Sequence, residues 1–333
     1  MEEFATVCGV SRPTVSKYFN DPSSVRKSTR EGIEQALQNY DYRPNIFAVN
    51  QNRRATRNIG ILVPYLADPF FAEIARNIER KCINAGYWPI LMSSHGQTEL
   101  ENAALESLLS LKPAGALLAP LGRASDFERV RQFTLEVPTV IFDSQVEVGE
   151  AFIGSNNFQS IGLIVEYLCR TGEPPCFFEM PPVNPNANKR REAYAQVMER
   201  LGHVPQVIQV AGQGWEFERV GLEEGKRLIS ENALPSRTVL CSNDRIAIGL
   251  LAAAYDRGLR VGRGPGCALR VAGHDDHPWS KFACPGLTTV SQDYSAIATR
   301  SAETLFRIIE SNGKAEKYES TLFEGKLIMR DSA

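Results

Sequence analysis

The sequence predicts an α/β protein, a small helical head followed by a larger body of two doubly wound parallel sheets. Three observations carry this prediction. The first forty residues hold three closely spaced helical patterns. From residue 59 onward, short runs apolar on both faces alternate with helical stretches, as strands buried in parallel sheets do. At 333 residues the chain is long enough for two or three domains, each with its own core.

The head comes first. Helical patterns cover Glu2 to Cys8, Arg12 to Phe19 and Lys27 to Asn39, joined by a turn at Gly9 and by the breaker Asn20-Asp21-Pro22, which is the spacing of a helix-turn-helix with a third supporting helix. Ser11 is placed to cap the second helix, and Pro13 sits where no intrahelical donor is needed. Val15 and Phe19 lie four apart on one face and are expected to dock on Phe4, Ile33 and Leu37. Arg12, Pro13, Ser16 and Lys17 point elsewhere and are free to enter a major groove. Charge agrees: residues 1 to 58 carry nine Lys/Arg against six Asp/Glu, a net of +3, which leaves the other 275 residues at −5 of the total −2. A basic head on an acidic body suits a chain that touches phosphate at one end.

In the body, strands are predicted at 59–64, 87–93, 114–120, 138–143, 176–180, 238–242, 269–273 and 287–290, with helices such as PFFAEIARNIERKCINAG and IAIGLLAAAYDRG between them. In open parallel sheets ligands sit beyond the carboxyl ends of strands. The residues there are DPFF (68–71), Asp143, Asn243-Asp244 and His274-Asp275-Asp276. Carboxylates accept from hydroxyls, a guanidinium donates in a fork and aromatic rings cover the apolar face of a sugar, so this set fits a polyol.

Bulk properties narrow the class. Hydrophobic content of 43% excludes a disordered tail protein, and no apolar run approaches the roughly 18 to 20 residues of a membrane span. The start, MEEFATVCGV, lacks a basic segment followed by an apolar one, and a cytoplasmic location is expected. Seven cysteines are scattered and never form CxxC, against a disulfide framework or a zinc site; most are expected to be buried as small hydrophobes. No metal and no cofactor are expected. Four scattered histidines give no catalytic triad, HDDH (274–277) cannot easily converge on one ion, and GRGPGC (262–267) lacks the ending of a phosphate cradle, so an enzyme is disfavoured.

The stretch EFATVCGVSRPTVSKYFNDPSSVRKSTREGIEQALQNYDYRPN, with its AxxxGVSxxTVSxxxN pattern at Ala5, Gly9, Val10, Ser11, Thr14, Val15, Ser16 and Asn20, resembles the DNA-binding head of the lactose-repressor and galactose-repressor family of bacterial transcription factors. The resemblance implies base reading by Arg12, Pro13 and Lys17, and phosphate contact or motif closure by Thr14, Ser16 and Asn20, with Ser11, which starts the recognition helix, counted among the DNA-binding residues. It also implies a hinge after YRPN. There Gln51 stands where the family carries a leucine that wedges into the minor groove, so weaker operator bending, or a hinge contact through Val49 or Asn52, is expected.

DPFFAE, SNNFQSIG, NKRREAY, SNDRIAIG, VAGHDD and GLTTVSQD likewise resemble the family's effector domain, itself similar to two-lobed periplasmic sugar-binding proteins. This implies an effector site of Phe70, Phe71, Asp143, Arg190, Trp215, Asn243 and Asp275, with Gln292 near the lobe crossover. Asn156-Asn157 replaces the Asp-Asn pair common in the family. The domains expected are a head at 1–45, a hinge and linker at 46–58 and an effector-binding and dimerisation domain at 59–333. Its first lobe would span about 59–156 and 288–315, its second about 157–287 and 316–333.

The function implied is a transcriptional regulator, a repressor, whose grip on a pseudo-palindromic operator responds to a sugar or sugar derivative bound between the lobes. It would act as a homodimer, with contacts expected from 72–85 and 95–111, and with no leucine heptad in EGKLIMRDSA for a tetramerisation tail. The alternative is a sugar-binding protein, sensor or transport-associated, without operator binding.

Overall fold

A computed structural model describes residues 1–20, 22–40, 42, 56–146, 148–149, 151–211, 214–311 and 319–333. The chain divides into two compact units, 1–56 and 57–333.

In the head, the described helices are α1 (Glu2–Val7), α2 (Arg12–Asn20) and α3 (Lys27–Asn39). The predicted anchors meet as expected. Phe4, Ala5, Val15 and Ile33 form the core, with Val10, Phe19, Leu37 and Tyr42 packed on it, and Phe4 stacks flat on Tyr42 with ring centroids 4.2 Å apart. Gly9 turns the chain between α1 and α2 at φ 65°, where a side chain would be strained. The Ser11 hydroxyl pairs with the Thr14 hydroxyl (2.9 Å) rather than serving α2 through its side chain alone, and the Ser11 carbonyl accepts from the Thr14 and Val15 N–H groups.

The body contains two parallel sheets. The first has six strands: β1 (Asn58–Val63), β2 (Trp88–Ser93), β3 (Gly115–Leu118), β4 (Thr139–Phe142), β5 (Ala151–Ser155) and β11 (Glu319–Phe323), in the order β11-β5-β4-β3-β1-β2. The second has four: β6 (Cys176–Phe178), β7 (Val207–Ile208), β8 (Thr238–Cys241) and β9 (Arg270–Ala272), in the order β7-β6-β8-β9. Helices α4 (Pro69–Asn84), α5 (Thr98–Ser110), α6 (Phe127–Glu136) and α11 (Tyr294–Glu310) accompany the first sheet. Helices α7 (Asn157–Thr171), α8 (Pro185–Arg200), α9 (Phe217–Ser230) and α10 (Asp244–Asp256) accompany the second. A short antiparallel pair, β10 (Thr289–Ser291) and β12 (Lys326–Ile328), lies between.

Alternation along each strand explains why both faces are apolar. In β4, Val140 and Phe142 join one cluster with α4 and α11, while Ile141 joins the opposite cluster with α5 and α6. In β6, Cys176 and Phe178 face α9 and α10, and Phe177 faces α7 and α8. Helices α9 and α10 approach so closely that a Cβ on Gly221 would lie 2.2 Å from the Ile246 carbonyl oxygen, so only glycine fits.

The eight predicted strands are all present, β1 at full length but shifted by one residue and the others shorter, and β5, β7, β11 and β12 are additions. One expectation is corrected: the second lobe was to take all of 316–333, yet β11 pairs in parallel with β5 and completes the first sheet. Its polar-apolar alternation, ESTLF, suits an edge strand rather than a buried one. The chain crosses between the sheets three times, after β5, after β10 and at Gly325 between β11 and β12. All seven cysteines are free; Cys82, Cys176 and Cys241 are buried and Cys284 is exposed.

Candidate effector cleft and DNA-reading helix

Asp68 follows β1, Asp143 follows β4, Met180 follows β6 and Asp275 follows β9, so the carboxyl ends of both sheets face one cleft. Six of the predicted residues line it together: Phe70, Phe71, Asp143, Arg190, Trp215 and Asp275. The space left is about 30 Å³, room for about two water molecules. Trp215 accounts for much of this closure. Its ring stacks on Tyr65 of the first lobe (5.9 Å, 19°), meets Phe71 edge-on and leaves no room for a Cβ on Gly96, which would lie 2.5 Å from the indole.

Polar contacts also join the lobes. Arg245, at the start of α10, donates to Asp68 (3.0 Å) and in a fork to Glu218 (2.7 Å each), and its guanidinium lies over Phe217. Asn186 of α8 donates to Asp143 (2.9 Å) and accepts from Asn157 (3.0 Å). Lys189 donates to Gln145 (3.0 Å).

The carboxylates differ in what surrounds them. Both oxygens of Asp68 are occupied, one by the Phe70 N–H and one by Arg245, yet burial still lifts its pKa to about 6. Asp143 accepts from Asn186 on Oδ1; burial, eased by Arg190 and worsened by Asp275 and Asp68, lifts it to about 7. Asp275 receives Arg190 (3.0 Å), His274 (2.9 Å) and Gln292 (2.6 Å), all on Oδ1. Burial pushes its pKa up, but Arg190 and these donors outweigh it and the carboxyl stays below its usual range. His274 is buried and held neutral, its pKa depressed to about 4 by desolvation and by Arg190. Because a carboxylate only accepts, Nδ1–H donates to Asp275 and Nε2 accepts from Ser160 (2.8 Å).

Two predicted residues are placed outside the cavity lining. Asn243 caps α10, accepting from the Ile246 N–H (2.9 Å) and donating to the Met180 sulfur. Gln292 sits at a crossover, bonded to Asp275 and accepting from Ser155. Arg190 does line the cavity, but its donors go to Asn157 (2.9 Å), the Ser242 carbonyl (2.8 Å) and Asp275, so it orients Asp275 instead of presenting an open fork. Sequence reasoning missed Asp68, Asn186 and Arg245 as individual contributors. The strand-end rule pointed to the first, and NPN before a helical run was the only mark of the second. Among the described residues no group of metal-ligating side chains converges.

On the head, Ser11, Arg12, Pro13 and Lys17 are exposed along α2, with Thr14 and Ser16 partly so, while Val15 between them is fully buried. Asn20 ends the helix; Gln51 lies outside the described residues.

A helix-turn-helix head and a two-lobed body of parallel sheets with the ligand cleft between them define a binding-protein body joined to a DNA-binding head. The chain belongs to the periplasmic binding protein-like domain family, whose model matches residues 154–333, and its residues 1–45 match the bacterial regulatory proteins of the lacI family, so that a lacI-family DNA-binding domain precedes a periplasmic-binding-protein-like one. It is 28% identical to the ribose operon repressor of Escherichia coli (strain K12) over 312 residues, 93% of this chain and 92% of that one. It is 26% identical to the HTH-type transcriptional repressor PurR of Haemophilus influenzae (strain PittEE) over 334 residues, covering 100% and 98%. The lac repressor dimer bound to operator and the anti-inducer ONPF shares its fold, with a TM-score of 0.83 at 23% identity over 99% of this chain and 97% of that one.

Proposed function

We propose that the protein is a sequence-specific transcriptional repressor whose hold on a pseudo-palindromic operator is controlled by a small sugar or sugar derivative bound between the lobes. The observation that carries this reading is the outward row of Ser11, Arg12, Pro13 and Lys17 on α2, anchored by buried Val15, in a head that matches the lacI regulators. Arg is suited to a guanine edge and Lys to a more permissive contact. Phosphate contacts fall to Thr14, Ser16 and Asn20, and the hinge contact to Gln51. The head is 1–45, the linker 46–58 and the effector and dimerisation domain 59–333.

The cleft supports the second half of the reading. Aromatic rings of Phe70, Phe71 and Trp215 line it beside Asp143 and Asp275, the pairing of apolar faces and acceptors that a polyol needs. Asn243 and Gln292 support it from behind. The relatives are repressors rather than enzymes, and a sugar-binding protein without operator binding leaves the head unexplained.

Two heads reading two half-sites require a dimer. The edge of the first sheet supplies an apolar surface: Trp88, Leu91, Ile83 and Leu100 are exposed on β2, α4 and α5. No described helix is long and apolar enough to cross a membrane, and an operator-binding role places the protein in the cytoplasm. Selection of bound duplexes from a random pool tests the reading. Recovery of a palindrome with half-sites about one helical turn apart, released or tightened by a sugar, is expected; sugar binding with no enriched sequence would favour the binding-protein alternative.

A further inference from the structure

The cleft contains more carboxylate than its cations match. Arg245 is committed to Asp68 and Glu218, and Arg190 to Asp275. Asp143 has no such partner: Arg190 and Lys189 lie near enough to ease its charge but neither donates to it, and this carboxyl, 7% exposed and at φ 59°, receives only the neutral Asn186 amide on Oδ1, with no donor on Oδ2 among the described residues. Oδ2 of Asp275 is in the same position, since its three donors all go to Oδ1. Two acceptor oxygens thus remain in a cavity walled by Phe70, Phe71 and Trp215, where little water screens charge.

We infer that the cleft selects a polyol carrying no negative charge, and that Asp143 enforces this choice by offering an acceptor oxygen to which no cation donates. The inference rests on the proposed sugar-binding role of the cleft. A hydroxyl satisfies such an oxygen by donating; a phosphate or carboxylate brings a second anion to it, and no free guanidinium in the cavity offsets the repulsion. Sugar phosphates and sugar acids are therefore rejected although they share the ring that the aromatic wall would cover.

The test uses the full chain. Thermal shift against D-ribose, D-xylose, D-glucose, D-galactose and cellobiose, each with a phosphorylated or oxidised counterpart, identifies a binder, and calorimetry at pH 8, where the Asp143 carboxyl is ionised, then compares the neutral sugar with its anionic form. The anion is expected to bind about 100-fold more weakly or worse. In Asp143→Asn, which keeps an acceptor for Asn186, that discrimination is expected to narrow by about tenfold or more with a smaller change for the neutral sugar. A purely structural role would weaken both ligands alike. An anionic sugar that binds as tightly as its neutral parent, or an Asp143→Asn variant that keeps the full discrimination, overturns the inference. The comparison on the unaltered chain stands even if the variant fails to fold. If neither neutral nor anionic sugars stabilise the protein, the sugar reading of the cleft fails first and the inference falls with it.

Discussion

Replacing Arg245 by Met tests how the lobes are held together. The guanidinium has 6% of its side chain exposed and reaches across the cleft to Asp68, itself buried. Its bonds to Glu218 stay within the second lobe and survive opening, so the contacts specific to the closed form are the ion pair with Asp68 and the weaker one over the Tyr65 ring, 5.7 Å from the guanidinium. Removing one member of a buried pair costs about 3–5 kcal/mol because the other charge is stranded. The low end applies here, since Asp68 keeps the Phe70 N–H and, with a pKa already lifted to about 6, readily takes a proton. A closed state raised by about 3 kcal/mol should weaken binding of a neutral sugar about 100-fold. Calorimetry measures the affinity and solution X-ray scattering the opening. Adding Asp68→Asn removes the stranded charge while keeping a cap for α4, so the double variant should recover most of the loss. An affinity of Arg245→Met within about threefold of the parent, or a double variant no better than the single, would refute the clamp.

Three further outcomes are expected. Phe4→Ala empties the centre of the head core at a cost of about 3–5 kcal/mol, comparable to all that so small a core supplies, so operator binding should vanish while the calorimetric transition of the body is unchanged. Gly96→Ala puts a methyl where the Trp215 ring lies and strains a residue at φ 75°; the cleft should open, seen as a red-shifted Trp215 emission and a larger radius of gyration. For pH, burial holds Asp143 at about 7 against its ordinary 3.8. The closed form therefore binds that proton more tightly, with an advantage complete below the ordinary value and lost as pH rises through about 7. Asp68 acts in the same direction at about 6, with Arg190, Lys189, Arg245 and Asp275 as the surrounding charges. Sugar affinity should fall between about pH 4 and 7 and level off above that, and in Asp143→Asn most of that slope should disappear.

What could be read from the sequence follows from how local each signal is. The head was legible to within one residue at each helix end because its helices are short, punctuated by Gly9 and Pro22, and anchored by contacts within about forty positions. Strands such as β1 and β4 were legible because both faces are buried, whereas β11 hides in an alternating edge segment and β7 is only two residues long. In the cleft, strand-end position found Asp143 and Asp275. The same rule misled at Asn243, because a residue between a strand and a helix is equally well placed to cap the helix, and there it does. Arg245 and Asn186 owe their importance to partners 177 and 43 positions away, and no local pattern announces such a contact.

The partners of Asp275 give the cleft a route to the hinges. Its Oδ1 binds Gln292 at the second crossover, and Gln292 in turn accepts from Ser155 at the first. The third crossover is tied in through Gln159, whose amide exchanges two hydrogen bonds with Gly325 (2.8 and 3.1 Å), at a position where a Cβ would clash with Val290 and Ser160. Asp143, Asp275 and Asp276 all hold positive φ, conformations that persist only when surrounding contacts enforce them. The strained backbone thus lies where strand ends meet the cleft, and one of its residues is bonded directly to a crossover. A ligand that displaces the Asp275 carboxylate must either break its bond to Gln292 or move the crossover with it, and the second course rotates one lobe against the other. Gln292→Ala cuts that link without touching the cavity lining. It should leave sugar affinity nearly intact while weakening the sugar's effect on operator binding, and full coupling in that variant would show that the rotation is transmitted by another path.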